Sequence, residues 1–86
     1  MNIAFTKIIR LSARLWEFNF RRLPGDHFNF HGDVTNEKGE RLQFSLYKDA
    51  HDVWHVTGQK LPLWIADAEQ ALGEAIEEGM AEIAKP

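Results

Sequence analysis

The stretch FNFHGDVTNEKGERLQFSLY, residues 28–47, decides the fold. Apolar residues occupy every second position on both sides of a polar segment that contains Gly39, which is typical of two antiparallel strands with one buried face. A three-residue loop, Glu37–Gly39, with Gly39 in the left-handed conformation, is a common hairpin connection. It pairs Asn36 with Glu40, and every later pair on one face is then apolar. A slip of one residue would mix the two faces, so the pattern predicts this register.

The predicted register gives two sets of cross-strand neighbours. The apolar face pairs Val34 with Leu42, Gly32 with Phe44 and Phe30 with Leu46. The polar face pairs Asp33 with Gln43, His31 with Ser45, Asn29 with Tyr47 and His27 with Asp49. Because Gly32 has no side chain opposite Phe44, an aromatic residue from the strand before this hairpin or from the C-terminal helix is expected to pack there.

The alternation continues outward from this hairpin and then changes period. One strand is predicted before it, from Trp16 to Phe20, and one after it, from Val53 to Gly58, whereas apolar residues from Leu61 to Ile83 recur every third or fourth position. The sequence therefore predicts an α+β fold in a single domain, residues 1–86. A four-stranded antiparallel meander, residues 13–58, is followed by one C-terminal amphipathic helix, residues 62–83, packed on one face. Residues 1–14 fit a short helix or an extended segment leading into Trp16, and the extended segment is favoured.

The phase of the strands and of the helix predicts which side chains share the core. The expected core residues are Trp16, Phe18, Phe20, Phe28, Phe30, Leu42, Phe44, Leu46, Trp54, Leu72 and Ile76. Gly79, at the edge of the helix stripe, would permit close approach to the sheet or to a partner helix.

Charge is distributed unevenly along the chain, whose formal net charge is −3. Residues 67–86 contain six acidic residues and one lysine, a net of −5, and residues 1–66 contain nine basic and seven acidic residues, a net of +2. The predicted helix is therefore acidic and the strand region mildly basic. Because the chain has no cysteine, disulfides, thiol catalysis and cysteine-ligated zinc are excluded. No membrane-spanning segment and no secretory signal layout is found, so we expect a cytoplasmic protein.

The polar residues of the predicted strands form no recognisable catalytic or metal-binding motif. If Phe20 paired with Phe28 and Trp54 with Leu46, one row across the sheet would contain Glu17, His31, Ser45 and His55. A flat sheet face supplies neither an oxyanion hole nor a pocket, so this row is interpreted as ordinary polar surface. The histidines lie four residues apart in two pairs, a spacing that separates them by about 13 Å on a strand. The sequence predicts a protein that is not an enzyme and holds no metal or cofactor.

The segment DVTNEKGERL, residues 33–42, resembles the first hairpin of a PUR repeat. Strands followed by one C-terminal helix behind a curved sheet are the layout of PUR repeats and of Whirly-type single-stranded-DNA-binding proteins, and the match covers roughly residues 28–83. The resemblance implies that the open sheet face binds single-stranded DNA or RNA. The candidate binding residues are Arg14, Arg21, His31, Arg41, Tyr47, Lys48 and His55.

An alternative function is a protein-interaction or homodimerisation module without a nucleic-acid role. A single sheet leaves two edges and one open face, and small domains often associate to protect such surfaces. Gly79 and Met80, near the end of the helix, would then serve a helix–helix contact. A homodimer is expected under either interpretation.

Overall fold

The computed structural model describes residues 3–25 and 29–84. Its elements are β1 (Ala4–Leu11), β2 (Arg14–Arg22), β3 (Asn29–Thr35), β4 (Arg41–Lys48), β5 (Trp54–Thr57), α1 (Leu63–Ala66) and α2 (Glu69–Ala84). The strands form one antiparallel sheet in the order β1-β2-β3-β4-β5. The predicted α+β class, antiparallel sheet and C-terminal helix are confirmed. The predicted number of strands is wrong, because the sheet has five strands instead of four.

The additional strand is β1, which pairs along its whole length with β2. Ser12 and Ala13 connect the two strands with φ angles of 51° and 62°. Two-residue hairpin turns with positive φ at both positions usually contain Asn or Gly. This turn contains neither Asn nor Gly, so the sequence carries no signal that the chain reverses direction there. The extended conformation of the segment before the turn, in contrast, was predictable from the sequence.

The register predicted for the hairpin of β3 and β4 is confirmed over its described residues. Gly32 lies opposite Phe44, and the flanking pairs follow as expected. The backbone N–H of Asn36 donates to the carbonyl of Glu40 at 2.8 Å, and Gly39 has a φ of 80°. The expected pair of His27 with Asp49 lies outside the described residues.

The registers on either side of this hairpin differ from the prediction. Phe20 lies opposite Gly32 rather than residue 28, a difference of four residues. Trp54 lies opposite Lys48 rather than Leu46, a difference of two residues. Both differences are even numbers, so the alternation of faces along each strand is unchanged, whereas the cross-strand neighbours differ from those predicted.

The core lies between the sheet and the two helical segments. Of the predicted core residues, Phe18, Phe20, Phe30, Phe44, Leu46, Trp54, Leu72 and Ile76 are buried, and Trp16 and Leu42 are partly buried at its margin. Phe28 is outside the described residues. The single predicted helix is interrupted at Asp67 and Ala68, which separate α1 from α2.

Two glycines let α2 approach the sheet closely. A Cβ atom at Gly73 would lie 2.2 Å from the ring of Trp54, and one at Gly79 would lie 2.3 Å from the ring of Phe5. Gly79 therefore serves helix–sheet packing. Opposite Phe44, the ring of Phe44 itself lies above Gly32, 2.5 Å from the position of a Cβ. As expected, an aromatic residue of the preceding strand, Phe18 of β2, packs edge-on against that ring, with centres 6.1 Å apart.

Three of the acidic side chains of α2 are bound to lysines of the sheet. Lys7 of β1 donates to Glu78 at 2.9 Å and to Glu82 at 2.8 Å. Lys48 of β4 donates to Glu77 at 3.0 Å. The acidic C-terminal part of the sequence and the basic residues of the strand region therefore attract each other across the contact between α2 and the sheet.

Candidate functional site

The sheet face turned away from α1 and α2, here called the open face, is the candidate site. Strand alternation assigns it the side chains that point opposite to the core. They include Thr6, Ile8, Arg10, Leu15, Glu17, Asn19, Arg21, Asn29, His31, Asp33, Arg41, Gln43, Ser45, Tyr47, His55 and Thr57.

Five of the seven candidate binding residues lie on the open face. They are Arg21, His31, Arg41, Tyr47 and His55. The pairing places Arg21 beside His31, which in turn faces Ser45, and it places Tyr47 beside His55 one row away. The structure therefore brings these side chains onto one surface.

The row of Glu17, His31, Ser45 and His55 is not formed. Glu17 lies opposite Ile8, and His55 lies opposite Tyr47. The two altered registers separate the groups that a triad would need. His31 and Ser45 remain neighbours, as predicted.

The other two candidates, Arg14 and Lys48, lie on the helix side of the sheet, so their placement on the open face was wrong. The Arg14 guanidinium lies 4.9 Å from the centre of the Trp16 ring and pairs with Glu37. The Trp16 ring stacks in turn on Trp64 at 4.4 Å. Lys48 lies an even number of positions from the core residues Phe44 and Leu46 of β4, so its side chain is on the helix side. There it forms an ion pair with Glu77 of α2.

A hydrogen-bonded polar cluster occupies the middle of the open face. Thr6 donates to Asn19 at 2.6 Å, and Asn19 donates to Asp33 at 3.0 Å. Arg41 donates to the other carboxylate oxygen of Asp33 at 2.9 Å. Asp33 is the buried polar residue of the described chain, at 7% exposure. Burial by itself would raise the pKa of Asp33, but the hydrogen bonds from Arg41 and Asn19 outweigh it and hold the pKa below its ordinary value.

A second cluster lies where β4 and β5 meet. The rings of Tyr47 and His55 stack with centres 5.0 Å apart and planes at 27°. His55 Nε2 lies 2.7 Å from Asp49 Oδ2, while Asp49 Oδ1 accepts the backbone N–H groups of His51 and Val53. These contacts, with that to His55 the largest, lower the pKa of Asp49 to about 2. The carboxylate therefore fixes the imidazole and the turn together.

Sequence reasoning missed both carboxylates. The predicted register gives Asp33 one cross-strand neighbour, Gln43. The same register, now confirmed, also places Arg41 diagonally across from Asp33, and the long Arg41 side chain can reach the carboxylate. That signal was available in the hairpin. The contact of Asp49 with His55 was not available, because it depends on the register of β5.

The described residues contain no group of three or more His, Asp or Glu side chains arranged to hold a metal ion. Among the helices of residues 3–25 and 29–84, none combines the length and the apolar character needed to cross a bilayer. Comparison with protein-family models, with curated proteins and with solved structures finds no match to this chain.

Proposed function

We propose that this chain is a non-catalytic, cytoplasmic module that binds single-stranded DNA or RNA through its open face. The observation that carries the proposal is the stacked pair of Tyr47 and His55 on an uncovered sheet, beside the row of Arg21 and His31. Proteins that bind single strands combine aromatic rings, on which bases stack, with cations that follow the phosphates. The open face has both.

The platform formed by Tyr47 and His55 is accessible and held in place. Tyr47 is 39% exposed. The bond from His55 to Asp49 fixes the second ring, so little side-chain freedom is lost when a base stacks on the pair. Arg21 is two strands away from Tyr47, about 10 Å across the sheet, a separation that lets one short strand contact both.

The overall negative charge of the chain does not oppose this binding surface. The acidic residues Glu77, Glu78 and Glu82 are on the helix layer, bound to Lys7 and Lys48. Among the ion pairs of the described residues, none involves Arg10 or Arg21 of the open face. These two guanidinium groups are therefore available to phosphates.

Fluorescence anisotropy with labelled single-stranded oligonucleotides tests the proposal. We expect the wild type to bind at pH 6 and low salt, and Arg21→Gln or Tyr47→Ala to weaken binding several-fold. Arg14→Gln is the matched control, because it removes the same charge from the helix side and should leave binding unchanged.

Two outcomes contradict the proposal. One is no binding by the wild type at low salt and pH 6, in which case the interaction-module hypothesis takes its place. The other is an equal loss for Arg14→Gln and Arg21→Gln, which would show that binding follows total charge and not the open face.

A further inference from the structure

The outer edge of β1 presents unpaired backbone groups. The carbonyl of Ile3 accepts the N–H of Arg22 at 2.9 Å, so these two residues form a hydrogen-bonded pair. Hydrogen-bonded and non-hydrogen-bonded pairs alternate along antiparallel strands. The N–H and C=O groups of Ala4, Thr6, Ile8 and Arg10 therefore point away from β2. Within the described residues, no hydrogen bond to these backbone groups is found.

The opposite edge of the sheet is protected, whereas β1 is not. Strand β5 has only four residues, and its outward Val56 N–H donates to the Glu69 carboxylate at 2.8 Å. Strand β1 has eight residues and contains no proline. Lysines commonly guard edges against pairing, but Lys7 is turned toward α2 by Glu78 and Glu82.

Exposed apolar side chains gather at the unprotected edge. Ile8, on β1, is 68% exposed, and Leu15, on the neighbouring strand of the same face, is 63% exposed. Ile83, one turn beyond Gly79 on α2, is 45% exposed. A partner at this edge would therefore gain apolar burial in addition to backbone hydrogen bonds.

We propose that β1 pairs antiparallel with β1 of a second copy of this chain, with Ile8 opposite Ile8. In a dimer with a two-fold axis perpendicular to the sheet, side chains that lie opposite each other must point to the same face. This requires each residue to lie opposite the same residue of the other copy, or opposite one that is an even number of positions away in the sequence. Centring the axis on Ile8 puts Lys7 beside Ile9 and Phe5 beside Leu11 of the other copy. Centring it on Lys7 would set two ammonium groups side by side, which is unfavourable.

The pairing joins two five-stranded sheets into one. About six new backbone hydrogen bonds form, two for each of the three bonded pairs between residues 6 and 10. Because the axis is perpendicular to the sheet, both open faces lie on the same side and become continuous. The pairing itself depends on the edge alone and holds whether or not the open face binds nucleic acid.

Disulfide trapping tests the register, because the chain has no cysteine of its own. In an Ile8→Cys variant, the two thiols occupy a bonded pair with Cα atoms about 5.5 Å apart, within the range of a disulfide. We expect rapid cross-linking at micromolar concentration. Thr6→Cys alone should not cross-link, because it faces Arg10 of the other copy, but an equimolar mixture of Thr6→Cys and Arg10→Cys should. Leu63→Cys, at a position 77% exposed on α1, measures random collision.

Sedimentation equilibrium tests the association without engineered thiols. The wild type should be a dimer at micromolar concentration, and Ile8→Pro should raise the dissociation constant at least tenfold. Because the Ile8 N–H points outward, proline there removes no hydrogen bond within one copy. If circular dichroism shows that Ile8→Pro does not fold, Ile8→Glu replaces it, since it sets like charges opposite each other.

The proposal is overturned by a wild type that stays monomeric at high concentration. It is equally overturned if Ile8→Cys cross-links no faster than Leu63→Cys. Neither result bears on oligonucleotide binding, so failure of the edge pairing and failure of the proposed function are distinguishable.

Discussion

Arg41 of β4 donates to Asp33 of β3 at 2.9 Å, and the two side chains differ sharply in exposure. The Asp33 side chain is 9% exposed and that of Arg41 is 63% exposed. The carboxylate is therefore largely removed from water and depends on Arg41 and Asn19 for its hydrogen bonds, whereas the guanidinium keeps much of its hydration. The carboxylate is the member of the pair whose loss should affect the fold.

We predict that Asp33→Asn lowers the free energy of unfolding at neutral pH by about 1.5–3 kcal/mol, the usual contribution of a hydrogen bond to a charged group. Urea unfolding followed by tryptophan fluorescence measures the change. Glu17→Gln, on the same face but exposed, is the matched control and should change stability little. An equal loss in both variants would contradict a specific role for Asp33.

The same variant has a defined pH dependence. Because folding lowers the pKa of Asp33, its contribution is fully present above the unfolded pKa, about 3.9. It is lost as pH falls through the folded value. The stability difference between wild type and Asp33→Asn should therefore be constant from neutral pH to about pH 5 and narrow below about pH 4. A difference that widens on acidification would show the opposite shift.

We predict that Asp49 stabilises the β4–β5 turn down to a lower pH than an ordinary carboxylate would. Its pKa is lowered to about 2, chiefly by His55 and then by the backbone N–H of Val53. Its contribution is thus present above about pH 4 and lost as the pH approaches 2. Asp49→Asn keeps an oxygen for the backbone bonds but loses the charge, so its urea midpoint should fall less than that of Asp49→Ala. Asp52→Asn, with an 88% exposed carboxylate, is the control, and a fall as large as that of Asp49→Asn would contradict the prediction.

The contact between Gly32 and Phe44 should appear as coupling in a double-mutant cycle. Gly32→Ala places a Cβ 2.5 Å from the Phe44 ring, and overpacking of this kind costs about 1–3 kcal/mol. Phe44→Leu should relieve most of this loss, although Phe44→Ala alone should cost about 3–5 kcal/mol. Chemical denaturation of the two single variants and the double variant measures the coupling. Additive losses would mean that another side chain limits the space.

Oligonucleotide binding should have a shallow salt dependence. Two to four phosphate contacts give a slope of log K against log salt of about −1.4 to −2.8 for single strands. Arg21→Gln should reduce the slope by about 0.7, whereas Tyr47→Ala should weaken binding by about 1–3 kcal/mol with the slope unchanged. A variant of Tyr47 that changes the slope and not the affinity would contradict its role in stacking.

The alternation of residues was sufficient to predict which side chains form the core, although Arg14 and Lys48 were placed on the open face and lie on the helix side. Alternation with a period of two places Phe18, Phe30 and Phe44 in the core and Arg21 and Tyr47 outside it, whatever the exact pairing. The register of the β3–β4 hairpin also followed from the sequence, because the short loop containing Gly39 and the apolar pairing both select it. The helical region also followed from the apolar residues that recur every third or fourth position, although the helix is interrupted and Ile83, near its end, is exposed.

Tertiary structure alone decided which residues meet on those faces. Alternation cannot distinguish registers that differ by an even number of residues, so Arg21 rather than Glu17 lies beside His31, and Tyr47 rather than Ser45 lies beside His55. The reversal at Ser12 and Ala13 carries no turn signal, because neither residue favours positive φ by itself. The pairing of β1 with β2 over eight residues overrides that local cost, and it is this long-range pairing that creates both the fifth strand and the unprotected edge.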